Sequence, residues 1–143
     1  MRKLAWGLLL LVLCACPRKE APEPTATPPV ASPLPSAIPS EPGETGARAF
    51  VAAFMDLRIA GEEPRAEQYL ASTARPQFGP SAIPMTSMSY TGWELVSFAA
   101  ADANSYEVKV RFRTEDEPIE EVLFVGPSEG KPQAWTIRGA TRP

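Results

Sequence analysis

The side chains that most often carry chemistry are sparse in this chain. It has two cysteines, Cys14 and Cys16, and no histidine. A serine nucleophile would therefore lack an imidazole base, and zinc, copper and haem sites would lack their usual ligands. No glycine-rich phosphate loop is present. Carboxylates are more plentiful. Asp56 lies in the first helix and is read as a solvated helix residue, with a buried acid as the alternative, and Glu115, Asp116, Glu117, Glu120 and Glu121 form a cluster. That cluster lacks the spaced Asp/Asn and Gly pattern of a calcium loop, so it is read as a solvated turn. No pair of carboxylates is singled out for glycoside hydrolysis. Tyr69, Tyr90, Trp93 and Trp135 could line a ligand cavity, but aromatic residues so placed are read as core. The expectation is a non-enzyme: no catalytic residue, no cofactor, no metal.

The one position with a specific chemical expectation is Cys16. Met1-Arg2-Lys3 is a short positive region, and Leu4–Ala15 is twelve residues without a charge. A helix of that length reaches roughly 18 Å against a hydrocarbon core of about 30 Å, so it fits the apolar part of a signal peptide better than a membrane span. Leu13-Cys14-Ala15-Cys16 resembles the processing site of bacterial lipoproteins: an aliphatic residue, a small residue before the cut, then cysteine. The resemblance implies cleavage before Cys16, a diacylglycerol thioether on its sulfur, and acylation of the new amino group by a chain such as palmitate. Two or three chains anchor stably where one does not. Arg18 and Lys19 would lie near anionic head groups. The implied location is the cell envelope, lipid-anchored, with the remainder of the chain extracytoplasmic.

Residues 17–42 contain nine prolines and no aromatic side chain. Proline removes amide donors, and little apolar surface is available to offset the ordering entropy. The expected organisation is a signal peptide over 1–15, a lipidated cysteine and disordered proline-rich tether over 16–44, and one small domain over 45–143. Pro-x-x-Pro spacing in the tether could also serve as a ligand for a polyproline-binding module, and its Ser/Thr/Pro mix could be O-glycosylated; a spacer is the reading adopted. The net charge of −3 offers no basic patch for nucleic acid.

In the domain, Thr45 is a candidate N-cap for a helix over 46–60 with Phe50, Val51, Phe54, Met55 and Leu57 on a broad apolar face, stopped by Gly61. Pro64 opens a second short helix through Leu70, and a third turn fits 72–78. Strands are expected over 90–99, 106–113, 119–125 and 134–138. The second alternates cleanly, with Tyr106, Val108, Val110 and Phe112 on one face. The first carries apolar residues on both faces, Trp93 and Leu95 against Val96 and Phe98. Trp135 and Ile137 should point inward. The fold class is α+β, with N-terminal helices packed on a curved four-stranded antiparallel sheet.

The stretches ARAFVAAFMDLRIAG, EQYL, SYEVKV and the terminal Trp-x-Ile together resemble the nuclear-transport-factor-2-like superfamily, and in particular small bacterial lipoproteins with such a domain, over about residues 46–140. The resemblance implies a cone of sheet and helices that holds a small ligand in some members and an acid–base pair in others, such as the ketosteroid isomerases. No catalytic motif of that superfamily maps onto a position here. Two functions follow as expectations: a non-catalytic domain binding an envelope-protein or cell-wall partner, or a small-ligand binder or isomerase-like enzyme using the cone.

Overall fold

The computed structural model describes residues 34–79 and 81–143. The expected signal peptide, Cys16 and the tether up to Pro33 lie outside the described residues. Helix α1 spans Gly43–Ile59, α2 spans Glu63–Ala66, and single 3-10 turns follow at Glu67–Tyr69 and Arg75–Gln77. Four strands complete the domain: β1 Gly92–Asp102, β2 Ser105–Arg113, β3 Ile119–Ser128 and β4 Lys131–Thr141. They pair in sequence order as an antiparallel meander. The architecture is α+β, as the order of periodicities anticipates.

Helix α1 starts ahead of the expected Thr45 cap. Gly43 sits at φ 76°, a left-handed conformation that only glycine takes without penalty, and it turns the chain into the helix directly after Pro42. Thr45 therefore lies within the first turn, and no side chain caps the helix. Phe50, Val51, Phe54, Met55 and Leu57 are all buried. They meet Val108, Val110 and Phe112 of β2, Leu123 and Val125 of β3 and Ile137 of β4 in one apolar cluster. Residues opposite one another across a pair of strands share a face, so the register places Tyr106, Val108, Val110 and Phe112 beside Val125, Leu123, Glu121 and Ile119 on the inner face.

The β1 alternation is corrected by a bulge. Leu95 pairs with Val110 and Ser97 with Lys109, which leaves Val96 as the extra residue. An extra residue reverses the parity of everything beyond it. Phe98, opposite Val108, therefore joins Trp93 and Leu95 on the inner face instead of opposing them. The β4 edge is covered by the segment after α2: the Ala71 amide donates to the Ile137 carbonyl at 2.9 Å, and the Ala140 amide donates to Gln77 Oε1 at 2.7 Å. Capping an edge in this way blocks further strand pairing.

Candidate functional site

The inner face carries two charges that the apolar pattern conceals. Arg58 follows Phe50 and Phe54 at four-residue spacing, which keeps it on the buried stripe of α1. Glu121 alternates with Leu123 and Val125 and faces the same core. Both are 0 % exposed. Arg58 Nη1 donates to Glu121 Oε2 at 2.7 Å and Nη2 to Oε1 at 3.2 Å. Two further donors bind the chain after Ile83, Nε to the Met85 carbonyl and Nη2 to the Pro84 carbonyl, each at 2.8 Å, and Nη1 also faces Met55 Sδ at 3.9 Å. The guanidinium also lies 4.7 Å from the Phe112 ring centre and 5.4 Å from that of Phe54, close enough for cation–π attraction.

A second arginine completes the cluster from the chain end. Arg142 Nε and Nη2 both reach Glu121 Oε1, at 3.1 and 2.7 Å, and Nη2 also donates to the Tyr90 hydroxyl at 2.8 Å. Tyr90 stacks on Phe112 with ring centres 4.2 Å apart. Burial is the largest single influence and works against the charge on Arg142, but hydrogen bonding to Glu121, its negative charge and the contact with Tyr90 together outweigh it and raise the pKa above the ordinary arginine value. Among the described residues, every buried side-chain nitrogen and oxygen has a partner. Such a cluster locks elements together: it joins α1, the loop before β1, β3 and the chain end. A carboxylate without solvent access and with both oxygens engaged is not placed to exchange protons with a substrate.

The other residues named from sequence fall elsewhere. Asp56 is half-buried and accepts a hydrogen bond from Trp93 Nε1 at 2.8 Å, a brace between α1 and β1. Tyr69 is buried against Phe50 and Phe54, at 4.9 and 5.9 Å between ring centres. Burial raises its phenol pKa, against the opposing charge of Arg65. Tyr90 belongs to the arginine cluster. Trp135 is half-buried, and its indole N–H donates to the Glu41 carbonyl at 2.7 Å. The acidic cluster is divided. Glu115, Asp116 and Glu117 are exposed in the β2–β3 turn, Glu120 is on the outer face, and Glu121 is in the core. The reading of Glu120 and Glu121 as part of a solvated turn is corrected accordingly. Among the described residues no group of His, Cys, Asp and Glu is positioned to hold a metal ion.

An open groove of about 470 Å³ lies between the segment after α2 and the β3–β4 hairpin, lined in part by Gln68, Ser72, Thr73, Glu129, Trp135 and Arg138. Arg138 is tied to the Pro127 carbonyl at 2.9 Å. The lining mixes an aromatic face with hydroxyls and charges. No family model, curated protein or solved structure matches this chain.

The outer face carries a second, wetter ion network. Glu120 accepts from Lys109 at 2.5 Å and from Arg111 at 2.7 Å, while Arg111 also pairs with Glu94 at 2.7 Å. Hydrogen bonds from Lys109 and then Arg111 hold the Glu120 pKa below its ordinary value of 4.5. A depressed carboxylate pKa adds stability above the unfolded value, and that contribution is lost as pH falls through the folded value. Glu120→Gln should therefore lower the melting midpoint slightly near neutrality and leave it unchanged in acid below the folded pKa. Because the network is solvated, the difference should shrink with added salt. Melting curves of both proteins across the acid range, at low and high salt, would show it; a difference that persists in strong acid would contradict this account.

Proposed function

We propose that the chain is an envelope lipoprotein, held to a membrane through a lipid on Cys16, whose small α+β domain binds a partner and catalyses nothing. The anchoring half rests on the Leu13–Cys16 sequence and its flanks. Among the described residues no helix is long and apolar enough to cross a membrane, and the proposal assigns attachment to the lipid alone. The sequence resemblance makes the domain a cone of the nuclear-transport-factor-2-like kind with its interior filled.

The observation that carries the non-catalytic half is the Arg58–Glu121 pair. It places a carboxylate and a guanidinium at the centre of the inner face, yet both side chains are 0 % exposed and are bound to one another. An isomerase-like site would present such a carboxylate to a cavity open to substrate. The groove beside Trp135 is the surface assigned to the partner, an envelope protein or a cell-wall component.

The decisive experiment for anchoring is Cys16→Ser in cells, followed by detergent phase partitioning. The native chain should enter the detergent phase and the variant the aqueous phase. A variant that still partitions with detergent would end the lipid-anchor reading.

A further inference from the structure

Of the nine residues Leu34–Pro42 of the proline-rich segment, Leu34, Pro35 and Pro39 are half-buried against the domain and the other six are exposed, with a bend at Ser36–Ala37. Leu34 packs against the apolar core. Arg65 Nη2 donates to the Pro35 carbonyl. Pro35, Ser36, Ala37 and Ile38 run past Leu57, Gln68 and Tyr69, around a gap of about 110 Å³. At the far end Trp135 Nε1 donates to the Glu41 carbonyl at 2.7 Å. Pro42 has φ −72° and ψ 162°, the polyproline II conformation. The Glu41 carbonyl also presses on Gly46 of α1: a Cβ there would sit 1.6 Å from the Glu41 oxygen.

We propose that this surface is a binding site for extended proline-rich peptides, and that residues 34–42 occupy it as an intramolecular ligand. A polyproline II chain makes no internal hydrogen bonds, so its carbonyls are free to accept from outside. Side-chain N–H donors above an aromatic-lined surface are how such chains are recognised. Here two donors, Arg65 and Trp135, meet two carbonyls of one proline-rich segment, and the Trp135 acceptor belongs to the Glu41–Pro42 tertiary amide, a stronger acceptor than a secondary one. Gly46 leaves room for that carbonyl. The Pro-x-x-Pro pattern in the sequence thus acquires a receptor within the same chain. The inference does not depend on lipidation, and it gives the binding reading a partner class: a proline-rich segment, supplied in cis here and exchangeable in trans.

An intramolecular ligand is present at an effective concentration on the order of millimolar, so it must be weakened before a second peptide can compete. In the full chain, residues 34–41 would be replaced by an equal length of Gly and Ser, and a fluorescein-labelled peptide of sequence LPSAIPSEP titrated by fluorescence anisotropy. The replaced chain should bind the peptide about tenfold or more tightly than the native chain. Adding Trp135→Phe, which keeps a ring but removes the donor, should weaken that binding about tenfold. Gly46→Ala, which fills the carbonyl's place, should do the same. A replaced chain that is folded by circular dichroism yet binds the proline peptide no better than a Gly/Ser peptide would overturn the proposal. Should the replacement prevent folding, Leu34→Asp in the otherwise native chain gives the second measurement. Exchange of the Trp135 indole N–H, which donates to the Glu41 carbonyl, should then accelerate while α1 and the sheet keep their protection, and an unchanged indole rate would equally overturn it.

Discussion

Glu121→Gln should lower the stability of the domain by about 3–5 kcal/mol, because it removes the one anion facing two guanidinium groups and leaves Arg58 buried without a counter-charge. For a domain of this size that corresponds to a fall in melting midpoint of at least about 10 °C. The substitution keeps the shape of the side chain, so the loss reports charge and hydrogen bonding rather than a cavity. The pair as a whole contributes far less than either single loss suggests, since bringing both ions out of water offsets most of their attraction. Arg58→Met with Glu121→Leu should therefore be markedly more stable than either single variant. Arg142, which is 30 % exposed, can then turn to solvent. Thermal and urea unfolding of the native chain, Arg58→Met, Glu121→Leu and the double variant would give the coupling energy. If the double variant were as unstable as the sum of the singles, the cluster would not be acting as a unit and this account would fail.

Phe54→Ala should be comparably damaging, at about 3–5 kcal/mol. Phe54 is 0 % exposed, packs 5.9 Å from Tyr69 and edge-on to Phe78 at 6.2 Å, and forms part of the aromatic wall around Arg58. Its removal opens space beside a buried charge, which adds to the lost transfer energy. From sequence, Trp135→Ala is expected to be as severe as Phe54→Ala. The structure separates them: Trp135 is half-buried and borders the groove, so its truncation should cost less than half as much. Unfolding curves of the two variants side by side would test the ranking. Equal losses would mean that Trp135 is packed more completely than its exposure indicates.

The order of elements was legible because each announces its own period. The α1 stripe repeats at three and four residues, β2 alternates strictly, and the turns carry Gly, Pro or acidic runs. The β1 faces were not legible. A bulge adds one residue at a position that depends on its neighbour strand, and nothing within Gly92–Asp102 marks Val96 as the extra one. The central ion cluster was partly visible in principle. Extending the Phe50–Phe54 spacing by four reaches Arg58, and extending the Leu123–Val125 alternation backward reaches Glu121. Grouping Glu121 with the nearby acids hid that parity. That these two residues, 63 positions apart, meet each other follows from the stacking of α1 on β3, which local periodicity does not encode. The docking of Leu34–Pro42 was hidden for a similar reason. Proline content argues against helix and sheet but does not oppose an extended chain lying on a surface.

The cluster also sets a timetable. A ribosome releases this chain from its amino end, so α1 and Arg58 are complete well before β3 brings Glu121, and Arg142 arrives later still. Until Glu121 is present, closing the apolar layer over Arg58 would strand an arginine that stays protonated in proteins, with no anion to meet it. A nascent chain of this sequence is thus discouraged from collapsing early into a near-native intermediate. Its final packing waits until β3 has followed α1 and brought the counter-charge.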